Sequence, residues 1–361
     1  MELTVLSTDF KTVAQVDVFE TLIWTERYSD YGEFELHTAV DRDLLAIFHE
    51  GYYLWTKESD RLMIVEGVQI NTDVDEGDRL IVSGRSIESI LDRRIVWRQT
   101  TLNGSLQDGV KKLINDAVMN PSAPERKIAN VVFEDSVDPA ITNLTLEGQF
   151  NGDNLFDVIK TICESCEIGF KFVVDDSYNF VFSLYAGVDR SWNQTSNKYV
   201  IFSPKYDNFS NSSYVESNKA LKTTALVVGE GEEPNRKNTT VTANGGGTGL
   251  SRREIYVDAG NLSSKREDES QMTDGEYTEQ LRQKGLEGLV EAIFISSFEG
   301  QADPNGQFAY GVDYSIGDIV QVENEYGVSN RSRILELVRS QDASGYAQYP
   351  TFNSINDEEA L

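Results

Sequence analysis

Gly51-Tyr52-Tyr53-Leu54-Trp55, a break, Arg61-Leu62-Met63-Ile64-Val65, an acidic turn and Arg79-Leu80-Ile81-Val82 read as three strands in a row. A matching phrase recurs near the other end. It runs Gly317-Asp318-Ile319-Val320-Gln321, a break, Arg333-Ile334-Leu335-Glu336-Leu337, a turn and Tyr346-Ala347-Gln348-Tyr349. The echo implies a duplicated β module. Symmetric assembly multiplies such a duplication, so three subunits of two modules each make a ring of six.

The flanking sequence is β-rich as well. Gly32 to Val40 alternates, with Phe34, Leu36, Thr38 and Val40 on one face and Glu33, Glu35 and His37 on the other. Asp75-Glu76-Gly77-Asp78 is a hairpin signal between Ile70–Val74 and Arg79–Val82. A short helical turn is expected after Gly84-Arg85-Ser86, with Ser86 as its cap. So many strands expose edges unless a barrel closes on itself. Helices follow. Ser105-Leu106-Gln107-Asp108 opens one whose apolar face is Leu106, Val110, Leu113, Ile114, Ala117 and Val118, ended by Asn120-Pro121. A second is expected over Leu155 to Glu167, entered from near Asn151, and Thr273-Asp274-Gly275-Glu276 caps a third that runs to about Val290. Asn244 to Gly249 is glycine-rich but lacks the lysine and spacing of a phosphate loop, so it reads as a hairpin tip.

With 361 residues the chain should divide into two to four domains, and 39% hydrophobic residues suffice for globular packing. No apolar run approaches the ~20 residues of a membrane helix. The N-terminal Met1-Glu2-Leu3-Thr4-Val5 lacks the features of a secretory signal, so a soluble protein made in the cytoplasm, with no membrane insertion, is expected. The net charge of −28, from 60 acidic against 32 basic residues, disfavours tight nucleic-acid binding. Cys163 and Cys166 form a Cys-x-x-Cys pair at the wrong end of a helix for a stabilised thiolate. The two histidines, His37 and His49, lie too far away in sequence to complete a zinc site, so the cysteines read as small core residues and no cofactor is expected.

Several phrases in order resemble the tail-tip (tail-associated or baseplate) hub family of long-tailed phages and phage-derived bacteriocins. They are Trp24-Thr25-Glu26-Arg27-Tyr28 with Tyr31-Gly32-Glu33-Phe34-Glu35-Leu36, then Ser83-Gly84-Arg85-Ser86 through Leu91-Asp92-Arg93-Arg94-Ile95-Val96. Tyr185-Ala186-Gly187-Val188-Asp189-Arg190-Ser191 with Val200-Ile201-Phe202-Ser203 comes next, followed by Gly311-Val312-Asp313-Tyr314, Gly317-Asp318-Ile319-Val320 and Tyr349-Pro350-Thr351-Phe352. The resemblance spans nearly the whole chain. It implies an α+β, mainly β, baseplate-hub-like architecture with two tail-tube-like β-barrel domains plus α+β domains. The expected division is a first barrel at 1–98, an α+β domain at 99–190, the first part of a second barrel at 191–258, a helical insertion at 259–293 packing on the α+β region, and the rest of the second barrel with a tail at 294–361. Many family members continue into a hydrolase or fibre-binding extension. This chain stops soon after its last barrel phrase, so lytic or receptor-binding work is expected of another protein.

The resemblance further implies a homotrimer at the distal end of the virion tail, assembled in the bacterial cytoplasm. A tail tube or distal tail protein would lie above it, and a spike, fibre or tape-measure protein at the tip. An acidic channel lets DNA pass without sticking, by repulsion over a Debye length of ~8 Å. Glu33, Glu35, Asp73, Asp75, Glu76 and Asp78 are the candidate lumen acids, or else ordinary solvated faces. Arg27, Arg85, Arg93, Arg94, Asp189 and Arg190 are candidate subunit contacts, or braces inside one subunit. Two other classes compete with this reading. A glycan or peptidoglycan hydrolase would use paired carboxylates such as Asp175 and Asp176, but these fall in a hairpin turn and no nucleophile or zinc constellation accompanies them. A carbohydrate-binding module would stack sugars on Tyr52, Tyr53, Trp55, Trp97 or Trp192, for which core or subunit contacts are the preferred reading. A non-enzymatic structural role is the expectation.

Overall fold

The computed structural model describes residues 1–73, 77–232, 234, 236–243, 246–266, 269–290, 295–303 and 306–355. The N-terminal module comprises β1 (Leu3–Leu6), β2 (Thr12–Val16), β3 (Thr21–Arg27), β4 (Glu33–Ala39), α1 (Arg42–Leu45), β5 (Tyr53–Trp55), β6 (Met63–Asn71) and β7 (Arg79–Ser86). Strand alternation sends Leu22 and Trp24 of β3, Phe34 and Leu36 of β4, and Leu80 and Val82 of β7 into one core with Leu3, Val5 and Leu54. Ser86 does not cap the turn that follows. Its hydroxyl accepts the Gly32 N–H at 2.7 Å, tying that turn to the β3–β4 loop instead.

The middle region contains β8 (Thr100–Ser105), α2 (Leu106–Ile114), β9 (Val131–Glu134), α3 (Pro139–Thr142), β10 (Thr145–Phe150), α4 (Leu155–Ser165), β11 (Gly169–Val174) and β12 (Phe180–Tyr185). Ser105 caps α2 by accepting the Asp108 N–H, and the helix widens into a π turn over Asn115–Met119. Asn154 caps α4, which starts at Leu155, the first residue of the expected span, and ends at Ser165, two residues short of Glu167. Its apolar face, including Cys163, joins Phe170, Phe172 and Phe182 in the largest core. Burial pushes the Cys163 thiol well above its ordinary range, which disfavours thiolate and fits a packing role.

The C-terminal module adds β13 (Ile201–Phe202), β14 (Phe209–Ser217), β15 (Thr224–Val228), β16 (Asn238–Thr242), β17 (Glu254–Asp258), α5 (Asp274–Val290), β18 (Ile295–Ala302), β19 (Ile319–Glu323), β20 (Ser329–Asp342) and β21 (Gly345–Ser354). The capping box of α5 forms as read. Glu276 accepts the Thr273 N–H at 2.7 Å while the Thr273 hydroxyl accepts the Glu276 N–H at 3.3 Å. The strands between 224 and 258, expected in the first part of a second barrel, do not join the large sheet. They make a separate three-stranded sheet, β16-β15-β17, whose inner face packs on Tyr277, Leu281 and Leu289 of α5.

Among the described residues the two modules do not form two separate closed barrels. Thirteen strands join one continuous sheet along β14-β18-β21-β20-β3-β4-β7-β6-β5-β1-β2, with β19 and β13 branching from β20. Among the described residues it does not close on itself. The reason lies at β3, whose second edge pairs with β20, from Arg27↔Glu336 to Leu22↔Gln341, rather than with a strand of its own module.

The duplication is visible in that order. β14-β18-β21-β20 and β3-β4-β7-β6 are four-stranded half-sheets in which the strands follow one chain order, so β3 matches β14, β4 matches β18, β6 matches β20 and β7 matches β21. Beside each half-sheet a short strand, β5 or β19, pairs with the fourth strand. Local geometry repeats too. The Gly51 N–H bonds to Val65 O and the Gly317 N–H to Ile334 O, both at 2.8 Å, with φ of +84° and +94° at the glycines. The matched pairs set the true alignment: Tyr53↔Ile64 equals Ile319↔Arg333, and Val65↔Gly84 equals Ile334↔Phe352. Arg333 therefore corresponds to Ile64, three residues on from Arg61, where the two phrases align by eye.

Candidate assembly site

The seam between the half-sheets is held by charge. Glu26 and Arg339 form an ion pair with both side chains about 1% exposed. The Tyr310 hydroxyl donates to Glu26 at 3.3 Å, and its ring lies 4.8 Å from the Arg339 guanidinium. Burial, reinforced by the Glu26 charge, drives the Tyr310 phenol far above its ordinary pKa, so it stays protonated as a donor. On the opposite face Arg27 donates to Glu336 at 2.6 Å and to Glu33 at 2.8 Å, bridging the two halves a second time.

Tyr28, just past β3, joins all three parts. Its N–H bonds to Leu335 O at 2.9 Å and its carbonyl accepts the Phe170 N–H at 3.1 Å. Its hydroxyl donates to Glu167 O at 3.1 Å and accepts the Gly187 N–H at 3.2 Å. Gly169 and Gly317 press against its ring. A second buried pair, Arg61 with Glu88, pins the middle region. Glu88 accepts the Phe172 N–H at 2.9 Å and Arg61 donates to the Tyr185 hydroxyl at 3.2 Å. Neither Tyr28 nor these buried pairs was singled out from sequence, where a lone Glu or Arg in a strand gives no sign of burial.

The sheet face opposite the core carries Ile23, Thr25 and Arg27 of β3, Glu33, Glu35 and His37 of β4, and Ser83 and Arg85 of β7. A groove of about 600 Å³ runs along it between Glu33, Glu35, Glu66 and Arg85. Of the candidate lumen acids, Glu33 and Glu35 lie here. Glu35 meets His37 at 2.6 Å. Asp73 and Asp78 are exposed near the β6–β7 connection, and Asp75 and Glu76 lie outside the described residues. The face is mixed in charge, since Glu33, Glu35, Glu66, Glu299 and Glu336 share it with Arg27, Arg79 and Arg85.

The candidate contact residues all have partners within one copy. Arg85 grips Glu66 through two bonds of 2.7 and 3.0 Å and reaches Asp92 at 3.1 Å. Arg93, half exposed, is 3.6 Å from Glu66. Arg94 donates to the carbonyls of Arg126 and Arg93. Asp189 pairs with Arg331 at 2.9 Å and Arg190 with Asp318 at 2.7 Å. Tyr52 and Tyr53 are partly buried, but Trp55, Trp97 and Trp192 are 42%, 58% and 48% exposed, so these three are not core residues. Trp97 lies under the Arg126 guanidinium at 4.6 Å beside a groove of about 260 Å³ that Asp116 and Asn120 also line. The wide turn after α2 sets both on one rim.

Several strand edges have no partner among the described residues, β2 at one end of the large sheet included, and two of them belong to the repeated half-sheets. One is β14, whose other side pairs with β18. The other is the distal half of β6, beyond its contact with β5. Val68 and Ile70 on β6 are 40% and 47% exposed, and Val215 on β14 is 49% exposed. Such edges invite further strands.

A family model described as Siphovirus ReqiPepy6 Gp37-like protein matches residues 2–352. No curated protein matches the sequence. Among solved structures, the tail protein from Neisseria meningitidis MC58 superposes with a TM-score of 0.55 at 12% identity, over 99% of this chain and 97% of that one. The 43 kDa tail protein of prophage MuSo2 from Shewanella oneidensis gives 0.54 at 12%, over 98% of each chain. Prophage tail protein gp18 from Listeria monocytogenes EGD-e gives 0.52 at 11%, over 99% and 95%. At these identities the likeness is one of fold.

Proposed function

This chain belongs to the Siphovirus ReqiPepy6 Gp37-like family of phage tail proteins, and from that premise we propose that it is the tail hub, three copies of which close a pseudo-sixfold ring. One observation carries the reading: a duplicated half-sheet within each chain, joined in the same order, with a free edge on each half, β14 on one and the distal part of β6 on the other. Head-to-tail contacts of this kind close into rings when the rotation per module divides a full turn. Six modules from three chains meet a hexameric tail tube above, while the threefold symmetry of the ring suits a spike, fibre or tape-measure protein at the tip. The groove-bearing face then lines a channel through which DNA passes without tight binding. The role is structural and non-enzymatic, at the distal end of the tail.

Cryo-EM of tails containing this chain tests the proposal. Three copies and six modules around the axis, with Glu33 and Glu35 facing it, are expected. One module per copy, a copy number not divisible by three, or a lumen lined by Lys and Arg would overturn it. Incubation with purified cell walls tests the non-enzymatic role, which release of soluble sugars would contradict. The exposed Trp97 favours a second reading, glycan binding beside Arg126. Glycan-array binding that Trp97→Ala abolishes would support it.

A further inference from the structure

The seam inside one chain is a template for the seam between chains, and the duplication fixes its register residue by residue. In β6 the ladder to β7 passes Val65↔Gly84, skips one residue and resumes at Gly67↔Ser83. In β20 the ladder to β21 passes Ile334↔Phe352, skips one residue and resumes at Glu336↔Thr351. The bulge anchors the alignment, so Gly67 corresponds to Glu336 and Ile70 to Arg339. On the other edge, Trp24↔Phe34↔Gly84 corresponds to Tyr214↔Phe298↔Phe352, so β3 Trp24 corresponds to β14 Tyr214. Both aromatic pairs are in contact, with ring centroids 6.3 and 4.7 Å apart.

Transferring the internal pairs Arg27↔Glu336, Thr25↔Val338 and Trp24↔Arg339 onto the free edges gives a definite result. We propose that β14 of one copy pairs antiparallel with β6 of the next through Ser217↔Gly67, Glu216↔Val68, Val215↔Gln69, Tyr214↔Ile70 and Ser213↔Asn71. This rests on the ring reading above and adds the occupant and register of its open edge. The pattern is chemically consistent. Val68 and Ile70 share a sheet face with their β7 partners Val82 and Leu80, which are fully buried. Among the described residues of one copy no strand covers them, and the transferred register places Tyr214 on that same face. The two seams differ in chemistry. Glu216 replaces Glu26, but Ile70 stands where Arg339 would, and Gly67 and Ser217 stand where Glu336 and Arg27 would. The internal seam is locked by ion pairs that the inter-copy seam lacks, so the ring separates at β14–β6 before the two modules of a chain part.

Full-length chains carrying Gln69→Cys with Val215→Cys, assembled into tails and oxidised, test the register, with the unmodified chain as control for Cys163 and Cys166. Cross-linked species of two and three copies are expected from this pair. Gln69→Cys with Ser213→Cys or with Ser217→Cys should give at most about a tenth as much, since diagonal neighbours are ~7–8 Å apart, beyond disulfide reach. Stronger cross-linking at a shifted pair, or none in particles with three copies by cryo-EM, overturns the register and leaves the ring standing. A cross-link from Gln69→Cys to a different tail protein overturns the choice of occupant. A copy number not divisible by three removes the ring itself.

Discussion

Single residues set the joints of this molecule. Gly317 has a φ of +94° and lies where a Cβ would come within 2.3 Å of the Tyr28 ring, whereas Gly311 at +77° has open space around it. Gly311→Ala should cost about 1 kcal/mol for backbone strain alone, and Gly317→Ala should cost more, about 2–4 kcal/mol, by adding displacement of Tyr28. Urea unfolding of the two variants separates these contributions. Glu276 offers a pH test. The Thr273 backbone N–H, the Thr273 hydroxyl and Arg266 hold its carboxyl at about 2, below its ordinary 4.5. A pKa lowered by folding contributes stability that is present above 4.5 and lost as pH falls toward about 2. Glu276→Gln should therefore flatten the change in thermal stability across that window while leaving the acid response below it unchanged, as read by melting curves against pH.

At the scale of elements, the β3–β20 junction turns two modules into one sheet, and its buried pair is the point of greatest sensitivity. Arg339→Met alone leaves Glu26 buried without its cation and should cost about 3–5 kcal/mol. The double change with Glu26→Leu should recover most of that loss, because two well-packed apolar side chains replace a pair that had to be desolvated. A double-mutant cycle by chemical denaturation gives the coupling directly; additive losses would mean that the pair is not coupled. Several elements were legible from local pattern: α2 from its apolar stripe and Ser105, α5 from Thr273 and Glu276, and β4 from its alternation. The stripe of Leu155, Ile159 and Ile162 places α4, whose exact start is set by the Asn154 side chain accepting the Phe156 and Asp157 amides.

For the whole molecule, assembly is where the outward side chains matter. Arg93 is half exposed and only 3.6 Å from Glu66, so Arg93→Glu places like charges together at the surface without opening a core. If Arg93 lies at a contact of the proposed trimer, the change should weaken assembly while leaving the monomer's circular dichroism and melting temperature within about 2 °C of the parent; a variant that assembles fully would remove Arg93 from that contact. The sequence by itself determined that the chain is mainly β, that its strand phrase is written twice, and that helices interrupt it, because strand alternation, caps and turn residues act over a few neighbours. Tertiary structure alone decided that the copies share one open sheet, that the strands at 224–258 leave it to pack on α5, and that Glu26 meets Arg339 across more than three hundred residues. Strand pairing joins backbones whose side chains carry no address, so which edge meets which is fixed only once the competing surfaces are folded and buried together.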